Sequence, residues 1–268
     1  MVSLMKHPQF KHIYGPVYSW RMGFSLGIDP LTTGKKYCSF NCTYCQLGRA
    51  DRVCLERRIF VPVATIMEEV KALPANCQID HLTFSGNGEP TLAYNLGDMI
   101  QALRKVRSEK IAVITNSSTV MMPDVRADLR QADLLLFKIE AHNQELFEKI
   151  NHSAPGLKLA DIVEGIRELK KTFDGKLAVQ TMITDDNKAY GSELAELILR
   201  IDPDEVQLNT PLRPSPVRPL TEIEMAEVKK PFVLAGLNVL SVYEEEKKSY
   251  QPFDDEATKK RHGNFKGE

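Results

Sequence analysis

From about residue 60 onward the chain alternates short β-branched or apolar runs with longer amphipathic stretches, and no other feature limits the fold as tightly. A strand followed each time by a helix pairs with its successor in parallel, the helix serving as the crossover. Helical spacing of apolar residues predicts helices over Val63 to Leu73, Leu96 to Val106, Val125 to Arg130, Gln144 to Ile150, Lys158 to Lys171, Ser192 to Leu199 and Thr221 to Lys229. Strands are expected at Phe24 to Ile28, Ile79 to Phe84, Ile111 to Thr115, Leu134 to Ile139, Leu177 to Ile183 and Val206 to Leu208. The chain has neither a Gly-x-Gly-x-x-Gly turn nor a phosphate-loop Lys, so the ordinary nucleotide folds lose support. The expected fold class is α/β, a partial (β/α)6 TIM-like barrel with short terminal extensions. The barrel with its amino-terminal extension is assigned to residues 1–230 and a carboxyl-terminal extension to 231–268. Pro211 to Pro219 carries four prolines and reads as an extended loop, Val233 to Tyr243 as a small terminal strand, and the charged stretch from Glu244 onward as a solvated end.

At 268 residues the chain is long enough for a substantial core without disulfide staples. Thirty-five Lys and Arg against 36 Asp and Glu leave a formal charge of -1, which gives no global attraction for nucleic acid or acidic lipid. The amino-terminal stretch lacks a long apolar segment followed by a small-residue cleavage site. A reducing, cytoplasmic setting without a membrane partner is therefore expected. Five cysteines fit metal or redox chemistry better than a disulfide framework, since the total is odd and three crowd into one loop.

That loop is Cys38-Ser-Phe-Asn-Cys42-Thr-Tyr-Cys45. Three soft thiolates are one too few to saturate an iron-sulfur cubane and would leave one iron open to an outside ligand. Zinc held by three Cys and a His is the alternative, although no His lies near the loop; unligated thiols are the third reading.

The CxxxCxxC spacing, with Tyr44 just before the last Cys, resembles the radical S-adenosylmethionine (SAM) superfamily. Further blocks, Tyr14-Gly-Pro-Val-Tyr-Ser, Ser25-Leu-Gly-Ile-Asp29, Tyr44-Cys-Gln-Leu-Gly48 and Ser85-Gly-Asn-Gly-Glu-Pro-Thr-Leu92, are similar to its iron-sulfur oxidoreductase branch related to wyosine synthases, over about residues 14 to 220. The resemblance implies a [4Fe-4S] cluster on Cys38, Cys42 and Cys45 whose fourth iron chelates the amino and carboxylate groups of SAM. One electron would then release methionine and a 5'-deoxyadenosyl radical that removes a hydrogen from the substrate, the cofactor doing the hard chemistry and the protein orienting and excluding. It also implies a reducing partner such as flavodoxin or ferredoxin. The archaeal wyosine enzymes carry additional amino-terminal cysteines, and the segment before Cys38 has none.

The same resemblance places the methionine amino group at Gly86-Asn87-Gly88-Glu89, with Gly86 and Gly88 allowing close backbone approach; a glycine turn capped by a carboxylate is the plainer reading. Thr115, Asn116 and Ser117 fall where the family binds the ribose or carboxylate of the cofactor, and a strand-to-helix cap explains them equally. Lys138, Glu140 and His142 lie two apart and are expected on one side, facing the barrel interior, with Gln180, Gln207 and Asn209 adding polar positions on later strands. Arg213 offers a planar fork for the cofactor carboxylate or an anionic substrate, or is a solvent-facing cation. Cys54 and Cys77 are expected to be free. The substrate is left as RNA, peptide or small molecule, with RNA base modification and glycyl-radical activation as alternative enzymatic roles and a non-catalytic iron-sulfur or zinc protein outside catalysis. Basic stretches at Arg104 to Lys110, Lys170 to Lys176 and Lys259 to Arg261 are candidates for an RNA surface, or simply solvated faces.

Overall fold

The computed structural model describes residues 10–74, 77–244 and 248–262. Its strands are β1 (Ile13–Ser19), β2 (Gly23–Ile28), β3 (Tyr37–Cys38), β4 (Arg52–Val53), β5 (His81–Phe84), β6 (Lys110–Thr115), β7 (Leu134–Lys138), β8 (Lys176–Met182), β9 (Glu205–Asn209) and β10 (Val239–Ser241). The helices are α1 (Val63–Lys71), α2 (Leu96–Arg104), α3 (Pro123–Leu129), α4 (Gln144–Asn151), α5 (Leu159–Lys170), α6 (Gly191–Leu199), α7 (Glu222–Leu234) and α8 (Asp255–His262).

Eight strands form one sheet in the order β1-β2-β5-β6-β7-β8-β9-β10. All neighbours are parallel except β1, which pairs antiparallel with β2. The curled sheet is the expected open partial barrel. Its strands read as nearly continuous apolar runs because both faces are covered. Leu26, Ile28, Leu82, Phe84 and Phe137 pack in the main core that also takes in the helices, while Met22, Ala112, Leu134, Leu136 and Ala178, with Ile114, form a smaller separate core. Crossover helices carry the chain back each time, so the loops after β5, β6, β7, β8 and β9 gather at the carboxyl ends of the strands, the end where barrels of this kind place their chemistry.

Three differences from the sequence expectations concern the termini. First, β1 adds an antiparallel edge that the strand-helix rhythm could not announce. Second, the run Val233 to Tyr243 is not one strand: Val233 and Leu234 finish α7, and only Val239–Ser241 pairs, parallel to β9. Third, the tail is not simply solvated. The Phe253 amide donates to the Gly15 carbonyl at 2.8 Å, Ala257 and Thr258 of α8 are buried, and Arg261 pairs with Asp29 at 2.9 Å. With β10 at one edge of the sheet, α8 thus packs against β1 at the other. Among the described residues no helix is long and apolar enough to cross a membrane.

Candidate active site

The cysteine loop sits over the carboxyl ends of the strands, pinned from three sides by backbone hydrogen bonds. Asn41 and Thr43 donate to the carbonyls of Asn151 and Ile150 at the end of α4, both at 2.9 Å, and Ala154 donates to Ser39 at 2.8 Å. Cys38 belongs to β3, held to β4, where the Cys54 amide donates to the Cys38 carbonyl at 3.0 Å. The loop after β5 supplies the third contact, since Gly88 bridges to Tyr37 and the Glu89 amide donates to the Tyr37 carbonyl at 3.3 Å. A Cβ on Gly88 would lie 1.8 Å from that carbonyl oxygen, and one on Gly86 would lie 2.7 Å from the Asp29 carboxyl carbon. Both glycines have positive φ, +135° at Gly86 and +139° at Gly88. The approach of two loops therefore dictates glycine at both positions.

Each of the three thiols has a nitrogen donor within reach. Lys36 Nζ is 3.0 Å from Cys45 Sγ, Asn151 Nδ2 is 3.5 Å from Cys42 Sγ, and Asn116 Nδ2 is 3.6 Å from Cys38 Sγ. Burial pushes the Cys38 and Cys42 thiols up to about 12, with Cys42 and Glu89 adding to the effect on Cys38 and Glu140 to that on Cys42. Ligation would have to displace those protons, as a thiolate-binding metal does. Among the described residues no three His, Cys, Asp or Glu side chains converge where a single ion could bind. In a cubane each thiolate takes a different iron, so the three sulfurs need not converge on one ion. The donor chemistry fits such a cluster, with three soft ligands and N–H groups aimed at their sulfurs.

Glu89 is 1% exposed and ties the β5 loop to β6. Its Oε1 accepts from the Thr91 amide at 3.0 Å, the Thr91 hydroxyl at 2.6 Å and the Thr115 hydroxyl at 2.7 Å; Oε2 accepts from the Asn116 amide at 2.6 Å. Burial raises its pKa, and these four hydrogen bonds pull the other way. Oε1 has no acceptor capacity left, so only Oε2 can take a further donor such as an ammonium. Asn116 turns its side chain to Ser39 Oγ at 2.9 Å and to Cys38, while Ser117, at φ 72°, donates from Oγ to the Lys138 carbonyl at 3.2 Å. Thr115 and Asn116 thus link the glycine loop to the cysteine loop.

Inside the barrel, Lys138 Nζ lies 2.9 Å from Glu140 Oε1, 3.4 Å from Gln180 Oε1 and 5.2 Å from the centre of the Tyr44 ring. Asn151 donates to Glu140 Oε2 at 3.0 Å, which connects this group to Cys42. Burial, with the negative charges of Cys42 and Glu140 next, raises the Tyr44 phenol well above its usual range. Gln207 donates to Glu205 at 2.7 Å and Asn209 accepts from the Thr210 amide at 2.9 Å. The Tyr44 hydroxyl, Gln180 Nε2 and Gln207 Oε1 are buried without a hydrogen-bond partner, as befits a polar interior that meets a ligand. His142 Nδ1 is likewise buried without a hydrogen-bond partner, and its ring lies 4.8 Å from that of Tyr190. The Arg213 loop abuts the cysteine loop, Gln46 donating to the Arg213 carbonyl at 3.4 Å and Ser215 to the Tyr44 carbonyl at 3.1 Å. Arg213 itself is half-buried, and burial lowers its pKa. Asn87 lines a cavity of about 570 Å³ between the glycine loop and α8, with Asp29, Thr32, Lys260 and Arg261.

Several residues here escaped sequence reasoning. Lys36, Asn151, Ser39 and Arg261 look like ordinary polar positions, and only the fold brings them to the loop or to Asp29. Tyr14 lies flat where Gly27 leaves no Cβ, its hydroxyl 2.7 Å from Ser85 Oγ, and Arg21 is half-buried within electrostatic reach of Tyr14 and Arg213. Cys54 is half-buried just after β4, and Cys77 lies among Arg107 and Glu109 near the start of β6, away from the site. The basic stretches are largely neutralised locally, through Arg104 with Asp133, Arg107 with Glu109, Lys170 with Asp204 and Lys176 with Glu205. The first two lie at the amino-terminal ends of β6 and β8, opposite the cysteine loop, whereas Lys259 to Arg261 lies on α8, where Lys260 and Arg261 line the cavity beside the glycine loop.

Fold and site together define a class: an open β/α barrel whose strand ends carry a three-cysteine loop clasped by a glycine-glutamate turn. The chain belongs to the radical SAM superfamily, whose pattern matches residues 35–209. It is 40% identical over 210 residues to UPF0026 protein slr1464 of Synechocystis sp., covering 78% of each chain. UPF0026 protein MJ1312 of Methanocaldococcus jannaschii is 37% identical over 207 residues, which are 75% of this chain and 64% of that one. Among solved structures, that of TYW1 with a lysine-pyruvate adduct bound superposes with a TM-score of 0.62 at 15% identity, over 79% of this chain and 74% of that one. The protein is a radical SAM enzyme.

Proposed function

We propose that Cys38, Cys42 and Cys45 hold a [4Fe-4S] cluster and that SAM binds beside it, for hydrogen abstraction from a polar substrate seated in the barrel. When bound, the cluster and SAM supply a one-electron reductive cleavage that yields a 5'-deoxyadenosyl radical. The chain's own residues do the remaining work. Gly86 and Gly88 keep the backbone low beside the loop, and Oε2 of Glu89 offers the one acceptor site for the methionine ammonium. Thr115, Asn116 and Ser117, engaged with Glu89, Ser39 and the Lys138 carbonyl, fix the rim between the two loops beside the uncharged part of the cofactor. Tyr44, Lys138, Glu140, Gln180 and Asn209 line the approach, and burial of these groups keeps water from the reacting centre. Arg21, half-buried with its Nε unpaired among the described residues, and Arg213 favour a substrate with an anionic group. That pair favours an anionic substrate over a neutral one. A flavodoxin or ferredoxin is the proposed electron source.

The observation that carries this reading is the cysteine loop itself, three thiols each met by an N–H donor and clasped by the Gly88–Glu89 turn. Iron and sulfide analysis of anaerobically reconstituted protein tests it. Four irons per chain, lost in Cys45→Ala, with a low-temperature electron paramagnetic resonance signal altered by added SAM, is the expected result. Full iron in Cys45→Ala would refute the ligand assignment.

A further inference from the structure

The three donors around the cysteine loop are not equivalent. Two are neutral amides, Asn116 toward Cys38 and Asn151 toward Cys42, and the third is an ammonium, Lys36 toward Cys45. Lys36 is 6% exposed, and among the described residues it makes no ion pair with a carboxylate. Its Nζ is held by the Gly48 carbonyl and the Cys45 sulfur, and its own amide donates to Asp51 Oδ2 at 2.7 Å, which fixes the backbone from which the side chain reaches in. A buried ammonium facing only a carbonyl and a thiol is poorly compensated, since burying a charge is costly unless an opposite charge meets it. An anionic sulfur at Cys45 supplies that charge.

We propose that Lys36 raises the reduction potential of the cluster by donating a charge-assisted hydrogen bond to the Cys45 ligand. The inference rests on the cluster assignment above and concerns a separate property. Reduction adds one negative charge to a centre already carrying three thiolates. A fixed cation 3.0 Å from one ligand sulfur stabilises the reduced form more than the oxidised form, and hydrogen bonds to cluster sulfurs act in the same sense. Hydrogen bonds involving an ionised group are roughly twice as strong as neutral ones. Lys36 therefore outweighs either asparagine. Its burial keeps water and salt from screening the effect.

The test is a redox titration of anaerobically reconstituted full-length protein, followed by the low-temperature electron paramagnetic resonance signal of the reduced cluster. Wild type is compared with Lys36→Met, Lys36→Gln, Lys36→Arg and Asn116→Ala, with iron and sulfide counted in each sample. At the poise where wild type is half reduced, the ratio of reduced to oxidised cluster in Lys36→Met and Lys36→Gln falls at least about tenfold, a downward shift of about 59 mV. Lys36→Arg stays within about threefold of wild type, and Asn116→Ala shifts less than either neutral Lys36 variant. Full iron in Lys36→Met or Lys36→Gln with the ratio within about threefold of wild type would overturn the proposal. So would loss of the cluster from both neutral variants while Lys36→Arg loads normally, which would make the charge a requirement for assembly. A wild type that takes up no cluster would overturn the ligand assignment itself, a result no Lys36 variant can imitate.

Discussion

Replacing Arg261 by Met removes the side chain that fastens the carboxyl-terminal helix to the barrel. In the folded chain Arg261 Nε donates to Asp29 Oδ2 at 2.9 Å, and the two side chains are 8% and 1% exposed. The guanidinium also donates to the Lys11 carbonyl, to Thr32 Oγ1 at 3.2 Å and to the Ala257 carbonyl at 3.3 Å. Once it is gone, Asp29 keeps the Leu31 amide at 3.0 Å as its donor. Breaking a buried pair from one side costs about 3–5 kcal/mol, because a charge is left buried and unpaired. The lower end is appropriate because the cavity beside Asp29 can admit water, so about 3 kcal/mol is expected. With a urea dependence of about 3 kcal/mol per molar, the unfolding midpoint falls by about 1 M. Trp20, the single tryptophan, lies in the β1–β2 turn and reports the transition by fluorescence. Asp29→Asn in the same background should recover part of the loss, since it removes the stranded charge. A midpoint for Arg261→Met within about 0.2 M of wild type would refute the reasoning, and the α8 contact would then carry no energetic weight.

Further outcomes follow from particular contacts. Gly88→Ala forces a Cβ to 1.8 Å from the Tyr37 carbonyl oxygen at φ +139°, so reconstituted iron should fall by more than about half. Gly34→Ala, with open space around its Cβ, should leave the iron content unchanged in the same assay. Asn187 is fully buried, accepting from the Thr184 amide at 2.8 Å and donating to the Glu140 and Met182 carbonyls at 2.9 Å each. Asn187→Ala strands those groups and should cost about 2–4 kcal/mol in urea unfolding; a loss under about 1 kcal/mol would contradict the role. In metal-free protein Cys38 and Cys42, pushed up to about 12, carry roughly one thiolate in ten thousand at pH 8, so iodoacetamide labelling followed by mass spectrometry should be slow and rise about tenfold per pH unit. The same raised values mean that their contribution to metal-free stability is complete below about pH 8.5 and is lost as pH rises toward the folded values.

The barrel was legible because strands covered on both faces are written as apolar runs, and Leu134–Lys138 or Leu177–Met182 has no other soluble home. The cysteine spacing is equally local and survives any uncertainty about the fold. Ile13–Ser19 gave no such signal, since it contains Gly15 and Pro16 and pairs only through an antiparallel edge. Val233 and Leu234 misled for the opposite reason: an apolar pair suggests a strand, yet they sit on α7 with 53% and 86% exposure. Polar residues were the least readable. Arg261 meets Asp29 across 232 positions of sequence, and Asn116 meets Cys38 across 78, so nothing near either residue distinguishes a site-building side chain from a solvated one. Lys36 is nearer, nine positions from Cys45, but a lysine beside a lysine reads as surface charge until the fold buries it.

The central claim is that this chain uses the Cys38–Cys42–Cys45 loop to cleave SAM reductively. Anaerobically reconstituted wild type and Cys42→Ala, each given SAM and dithionite, should be compared by chromatographic measurement of 5'-deoxyadenosine. Wild type should give product and Cys42→Ala none above background. Equal product from the two proteins, or none from wild type carrying an intact reduced [4Fe-4S] cluster, would contradict it.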